Sequence, residues 1–410
     1  MQMGEASMKS IRRLEQFFSD SLWSIAGLML MNIVAQFCVY PIWSAKMGSE
    51  SYGNVVSLLA IMNIWAVPMG YAANCALLVS YKEIPKCVAC CNGCMAIGAV
   101  VAFPYGILAG RLSGLSFQES VLFALLASVT TWRYYADVEY RLTLNFKGYF
   151  CYYLIISIGY GVGIGAFLLT GLWPLALLVG ELAGCIFTGA KGTVLRQGFT
   201  LRGEGIHQFA NILGTLLATN IITNLIFNGD RIVLRLLING TAVTIYYLAS
   251  LLGKTATLVT TPLNSVIISY LARYDGRLTM KLMHIITVLL LSMTVIGTGL
   301  CILASHILIP ILYPAEYLTC VPYFLIGNVT QVLYFTGGMM GTVLLRFEKA
   351  SYQSYMTAVY AVLFLLLCIP GIIFAGFNGF CIGLAITCVL RFIYSVGLGY
   401  WSAKRTENVS

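Results

Sequence analysis

The stretch "NIITNLIFNGDRIVLR" at 220–235 gathers side chains suited to an anionic, hydroxyl-rich ligand: Asn220, Asn224, Asn228, Arg231 and Arg235. On an α-helix, at about 100° per residue, these five fall within an arc of about 80° and extend through roughly 22 Å of the axis. Arg offers a planar fork of donors that matches phosphate, and Asn both donates to and accepts from hydroxyls. Asp230 projects about 100° from Arg231 and so lies off this face. A structural partner on a neighbouring helix is expected for it.

A second polar face follows. Measured from Lys254, the side chains of Tyr247, Ser250, Thr257, Thr261 and Ser265 fall between about −60° and +20°. An ammonium far from either headgroup layer costs roughly 2.5–3.5 kcal/mol to insert unless it meets water or a carboxylate. Nearby acids are too few to neutralise Arg231, Arg235 and Lys254, so a hydrated, anion-selecting cavity is expected, with Lys254 as its foremost residue. Helix–helix hydrogen bonding is the plainer account of the Asn and Ser alone.

Other groups carry less. Glu181, in "LVGELAG", is placed to pair with a cation or to exchange an ion such as a proton, a structural salt bridge being the simpler role. Arg133, Asp137 and Arg141 stand at successive i, i+4 positions, which gives either an ion-pair ladder or a cytoplasmic docking point for a phosphate headgroup at Arg133 and Arg141. Cys87, Cys90, Cys91 and Cys94 occupy one helix face, where close packing explains them better than a thiolate metal site. His207, His284 and His306 fall near helix ends. No metal site, catalytic pair or Gly-rich phosphate loop is legible.

The elements that position these residues are membrane helices. Mean hydropathy is +0.86, only 10% of residues are charged, and apolar runs of spanning length recur throughout. Twelve spans are read, at 21–43, 52–81, 87–109, 116–138, 150–170, 172–190, 209–238, 242–271, 282–304, 319–345, 352–376 and 379–401. The connections leave no room for a folded soluble domain, and the first apolar run is too long for a signal-peptide core. All but six of the 24 Lys and Arg fall in segments on one side if the N-terminus is cytoplasmic, the exceptions being Lys46, Arg111, Arg231, Arg235, Lys254 and Arg391. That asymmetry predicts an all-α integral membrane protein with both termini cytoplasmic. The net charge of +9 is then a topology signal, and no nucleic-acid partner is expected.

The longest polar connection, 191–206, divides the chain into a six-helix half at 1–195, a cytoplasmic linker at 196–206 and a second half at 207–410. Asn32 and Gln36 in the first span correspond to Asn224 and Asn228 at an offset of 192, and Pro68 corresponds to Pro262 at an offset of 194. Two pseudo-symmetric halves around a central cavity are therefore expected, the arrangement of many transporters.

Three segments carry a family likeness: "YPIWSAKMGSESYGNVVSLLAIMN", "WRYYADVEYRLTLNFKGYF" and "NGDRIVLRLLINGTAVTIYYLA". Together with length and layout they resemble the O-antigen or polysaccharide flippases (Wzx type) of the multidrug/oligosaccharidyl-lipid/polysaccharide exporter superfamily. In the last segment the matching residues are Asp230, Arg231, Tyr246 and Tyr247. The resemblance implies alternating-access translocation of an undecaprenyl-pyrophosphate-linked oligosaccharide, a surface-polysaccharide repeat unit, across the bacterial inner membrane. It also implies membrane lipids, a polysaccharide polymerase and a chain-length regulator as partners, and no cofactor beyond a proton or sodium gradient. Related lipid II flippases carry essential cations in the central cavity, for which Lys254 is a counterpart. Where those have Arg in spans one and two, this sequence has Asn32 and Asn63, which moves the cationic load to the second half. The competing readings are a cation-coupled multidrug exporter, whose cationic cargo would want acidic lining, and a membrane polymerase or ligase. The latter would want a large outer loop with catalytic groups, whereas "SHILIPILYPAEYL" holds the single acid Glu316.

Overall fold

A computed structural model of the chain describes residues 20, 22–81, 87–202, 205–256, 278–348 and 351–408. Among these residues the regular structure is helical throughout. The helices are α1 (Leu22–Ser80), α2 (Cys87–Leu112), α3 (Phe117–Ala136), α4 (Val138–Leu142), α5 (Phe146–Thr170), α6 (Leu175–Lys191), α7 (Ile206–Leu237), α8 (Gly240–Thr255), α9 (Met280–Leu312), α10 (Tyr317–Cys320), α11 (Phe324–Phe347) and α12 (Ser351–Asn408).

Seven of the described helical segments are long and apolar enough to cross a bilayer, and two of them are double length: 59 residues at Leu22–Ser80 and 54 at Tyr352–Arg405. Each double helix contains a break. In α1 it is Gly48, at φ 76 and ψ 166, and in α12 it is Ala375 with Gly376, the latter at φ 57. A residue with a Cβ pays roughly 1–2 kcal/mol for such left-handed φ, so glycine is where a long helix can fold over cheaply. The first and second spans and the last two spans of the sequence reading are therefore the arms of α1 and α12. Residues 257–277, the second part of the span read at 242–271, lie outside the described residues; with them go Thr257, Thr261, Pro262 and Ser265.

Local signals set several helix ends. Ser116 and Glu119 form a reciprocal capping box at the start of α3, the Glu119 N–H donating to Ser116 Oγ and the Ser116 N–H to Glu119 Oε2. Asn145, Asn239 and Thr279 cap α5, α8 and α9, each side chain accepting a backbone N–H of the first turn.

The chain forms two compact units, Met1–Lys46 with Leu58–Gly229 and Met47–Ser57 with Asp230–Ser410. The polar connection at 196–206 lies inside the first. In this unit α5 packs on α6, α2 on α3, and α3 on α6. A Cβ on Gly159 would stand 2.5 Å from the Gly180 Cα, a contact that holds the α5 and α6 backbones together. The cysteine face of α2 meets Ala72, Ala73 and Ala76 of α1, and the Cys91 thiol reaches the Ala73 carbonyl at 3.6 Å. Small side chains on both faces give the close packing anticipated for them. In the second unit α11 packs on α12, α8 and α9, around a methionine-rich core of Met283, Met339, Met340 and Met356.

Candidate functional site

The polar face of α7 forms as the helical geometry requires. Ile222, Leu225 and Leu236 are exposed on the apolar side, while Asn220, Asn224, Arg231 and Arg235 are half-buried and Asn228 is buried. The asparagines bond backward along their own helix: Asn220 to the Leu216 carbonyl at 2.8 Å, Asn224 to the Asn220 carbonyl at 3.0 Å and Asn228 to the Asn224 carbonyl at 3.0 Å. Asn32 in α1 repeats the pattern, donating to the Leu28 carbonyl at 2.8 Å. Each amide thus rests against its helix wall with one N–H committed, leaving its oxygen and second N–H for polar ligands. Gln36, the sequence counterpart of Asn228, stands in a single π-helical turn at Ala35–Val39. Such turns are rare and cluster at functional places in helices; no pattern in the sequence announced it.

Of the two ways to stabilise Lys254, water or a carboxylate, the structure shows the second. Its ammonium contacts Asp230 Oδ2 at 2.6 Å, and both side chains are 8% exposed. The phase that takes Asp230 off the α7 polar face turns it toward α8, so the neighbouring-helix partner expected for Asp230 is Lys254 itself. Asp230 Oδ1 accepts the Arg231 N–H at 2.8 Å. The Arg231 guanidinium lies over the Tyr247 ring, 4.8 Å from its centroid, and its Nε is buried with no hydrogen-bond partner. Along α8, Tyr247 is buried, and the buried Ser250 hydroxyl donates to the Tyr246 carbonyl at 2.8 Å, so Ser250 is turned to its own backbone. The Tyr246 hydroxyl accepts from Gln331 Nε2 of α11 at 2.8 Å.

In the first unit the ladder of Arg133, Asp137 and Arg141 is cut. Arg133 reaches across from α3 to Glu181 of α6 at 2.7 Å, with both side chains 4% exposed. Arg133 is therefore enclosed, not presented at a cytoplasmic docking point. Tyr160 donates to Glu181 Oε1 at 2.6 Å, which fills the second oxygen of that carboxylate. Asp137 keeps Arg141, at 3.2 Å, and Arg141 retains a side chain 33% exposed. Asp137 also collects the hydroxyls of Tyr149 and Tyr153, each at 3.2 Å, and the Asn74 amide. The i, i+4 spacing identified residues that share a face, but a buried guanidinium went to the carboxylate that shares its burial. Glu181, expected as a cation partner or an ion-exchanging group, is in this structure a cation partner.

Two polar sites were missed. Arg391 in α12 is held between rings, 4.2 Å from the Tyr334 centroid and 5.2 Å from that of Tyr360, and donates to the Tyr334 carbonyl at 3.1 Å. The sequence placed it inside a span without a role. Tyr149, Tyr153 and Tyr160 donate to the buried carboxylates of the first unit, and Tyr152 donates to the Arg133 carbonyl. Their spacing along one face of α5 was the available signal.

No family model matches the chain, and no curated relative matches it. Solved structures do. An inward-facing multidrug resistance MATE family transporter of the MOP superfamily superposes with a TM-score of 0.68 at 12% identity, over 94% of this chain and 99% of that one. The lipid II flippase MurJ, in an inward closed conformation, superposes with a TM-score of 0.71 at 11% identity, over 91% of this chain and 86% of that one. The Vibrio cholerae MATE transporter VcmN in its bent form gives 0.59 at 14% identity, over 96% and 98%. The chain has the fold of these transporters.

Proposed function

We propose that the protein is a transporter that flips an undecaprenyl-pyrophosphate-linked oligosaccharide, an O-antigen or related surface-polysaccharide repeat unit, from the inner to the outer leaflet of a bacterial cytoplasmic membrane. The observation that carries this reading is the charge that α7 and α8 bring: three cations, Arg231, Arg235 and Lys254, and one carboxylate, Asp230, which holds Lys254. Three cations on two adjoining helices suit a diphosphate, with Lys254 as a point charge and the arginines as forks. The amides of Asn32, Asn220, Asn224 and Asn228, with Gln36, supply acceptors and donors for sugar hydroxyls, and Tyr247 backs the Arg231 guanidinium. Transport proceeds by alternating access, coupled to a proton or sodium gradient without a cofactor, and delivers its cargo to a polymerase and its chain-length regulator.

Replacing Lys254 by Ala is expected to abolish surface-polysaccharide assembly while the protein still inserts in the membrane. Arg231→Ala and Arg235→Ala weaken it less. Deletion leaves complete lipid-linked repeat units on the cytoplasmic face. Normal surface polysaccharide in the Lys254→Ala strain sinks the assignment.

A second reading, multidrug export, draws on the TM-scores of 0.68 and 0.59 with MATE transporters. The basic lining of α7 and α8 disfavours drug cations. Resistance profiling of the deletion strain separates the two: heightened sensitivity to cationic drugs with normal polysaccharide selects the exporter.

A further inference from the structure

Carboxylates lie within 4.0 Å of Arg133, Arg141 and Lys254. Arg231 stands beside the Lys254–Asp230 pair with no carboxylate at salt-bridge distance, while Arg235 lies in the field of Glu50, the acid docked at the start of α8. The pair is neutral as a unit and leaves the positive charge of Arg231 uncancelled. Asp230 does not relieve it. It is adjacent to Arg231 on one helix, where successive side chains diverge by about 100°, and its two oxygens already serve the Lys254 ammonium and the Arg231 backbone N–H. Arg231 Nε remains buried with no hydrogen-bond partner, its guanidinium 4.8 Å from the centroid of the Tyr247 ring.

We infer that Asp230 is a specificity-determining residue: an internal counter-ion that occupies Lys254 and sets the minimum negative charge a ligand must bring to displace it. This rests on the lipid-diphosphate reading above and adds the selection rule. Displacement exchanges one anionic partner of Lys254 for another, so a ligand gains only what it offers beyond one carboxylate. A neutral headgroup offers nothing in exchange. A monophosphate offers little more than Asp230 already gives. A diphosphate spans two charged groups and engages Lys254 together with Arg231, a pairing that Asp230 cannot reach from its own position. The built-in carboxylate thus excludes phospholipid-like monophosphates from a site whose net charge would otherwise attract any anion.

The test uses full-length protein in detergent with two probes, farnesyl diphosphate and farnesyl monophosphate, and reads the ratio of their dissociation constants. Wild type is expected to prefer the diphosphate by at least about tenfold, and Lys254→Ala to weaken diphosphate binding by a similar factor, the size of one good charged contact. Asp230→Asn, close to isosteric, tightens the monophosphate about tenfold and collapses the ratio toward one. Asp230→Glu keeps the charge and is expected to keep the ratio. An unchanged ratio in Asp230→Asn, with Lys254→Ala still weakened, overturns the role of Asp230 and leaves the lipid-diphosphate reading standing. A collapsed ratio in Asp230→Glu also overturns it, because shape and not charge would then decide. No diphosphate binding by wild type, or none of its binding lost in Lys254→Ala, overturns the underlying reading as well.

Discussion

Arg133 and Glu181 illustrate what one residue contributes when its charge is buried. With both side chains 4% exposed, each ion is stable there because of the other, and Tyr160 completes the carboxylate. Removing one partner strands a charge and is expected to destabilise the protein by about 3–5 kcal/mol, whereas replacing both with apolar groups of like volume is close to neutral. Thermal unfolding in detergent should therefore show large drops in Tm for Glu181→Leu and for Arg133→Met, and recovery of most of the loss in the double variant. A double variant no more stable than either single would remove the pairing argument. The same double variant bears on coupling: if it transports, the Glu181 carboxylate does not carry the coupling ion. Spacing in the sequence revealed Arg133 and Asp137 as neighbours on one face. It could not reveal Glu181, since a partner 48 positions away is chosen by tertiary packing and burial, to which helical phase is blind. Asp230 was half legible for the same reason: phase excluded it from the polar face, but only the tertiary fold brought it to Lys254, 24 positions away.

At the scale of an element, α8 is begun by residues from two places. Asn239, its N-cap, accepts the Ala242 N–H at 2.9 Å, a signal present in the local sequence. The next unsatisfied N–H groups, of Gly240 and Thr241, donate to Glu50 at 3.0 and 2.7 Å, and the Thr241 hydroxyl adds a bond at 2.9 Å. Glu50 stands two residues beyond the Gly48 break in α1, so the break is what presents this carboxylate to a helix N-terminus, where the dipole favours it. Glu50→Ala is expected to raise hydrogen exchange at the amides of Gly240 and Thr241 while leaving the middle of α8 around Leu251 protected. Protection retained at both ends would mean that Asn239 suffices to hold the turn. Hydropathy read a span at 242–271, whose described part is α8. It gave no hint of Glu50, because an acid from a distant turn leaves no periodic trace where it docks.

Over the whole molecule, hydropathy was the most legible property, since spanning a bilayer demands about 20 consecutive apolar residues whatever the tertiary contacts are. The double helices α1 and α12 fit it: the sequence divided each into two spans, and the structure places left-handed Gly48 and Gly376 between them. Orientation rests on a different force, the bias that keeps Lys and Arg on the cytoplasmic side during insertion. Under that bias the connections after α4 and α6, with Arg141, Lys147, Lys191, Arg196 and Arg202 around them, are expected to be cytoplasmic. Those before α3 and before α10, with Arg111 and with Glu316, are expected to face outward. Alkaline phosphatase fused after Arg202 should therefore be inactive, and fused after Glu316 active, because the enzyme folds only in an oxidising compartment. Reversed activities at both positions would invert the molecule. Arg231 and Arg235 would then sit at the cytoplasmic mouth, where a headgroup boards, and the proposed direction of transport would have to be argued again from that end. Activity at both positions would instead break the count of spans between α7 and α10, and with it the placement of Lys254 at mid-membrane.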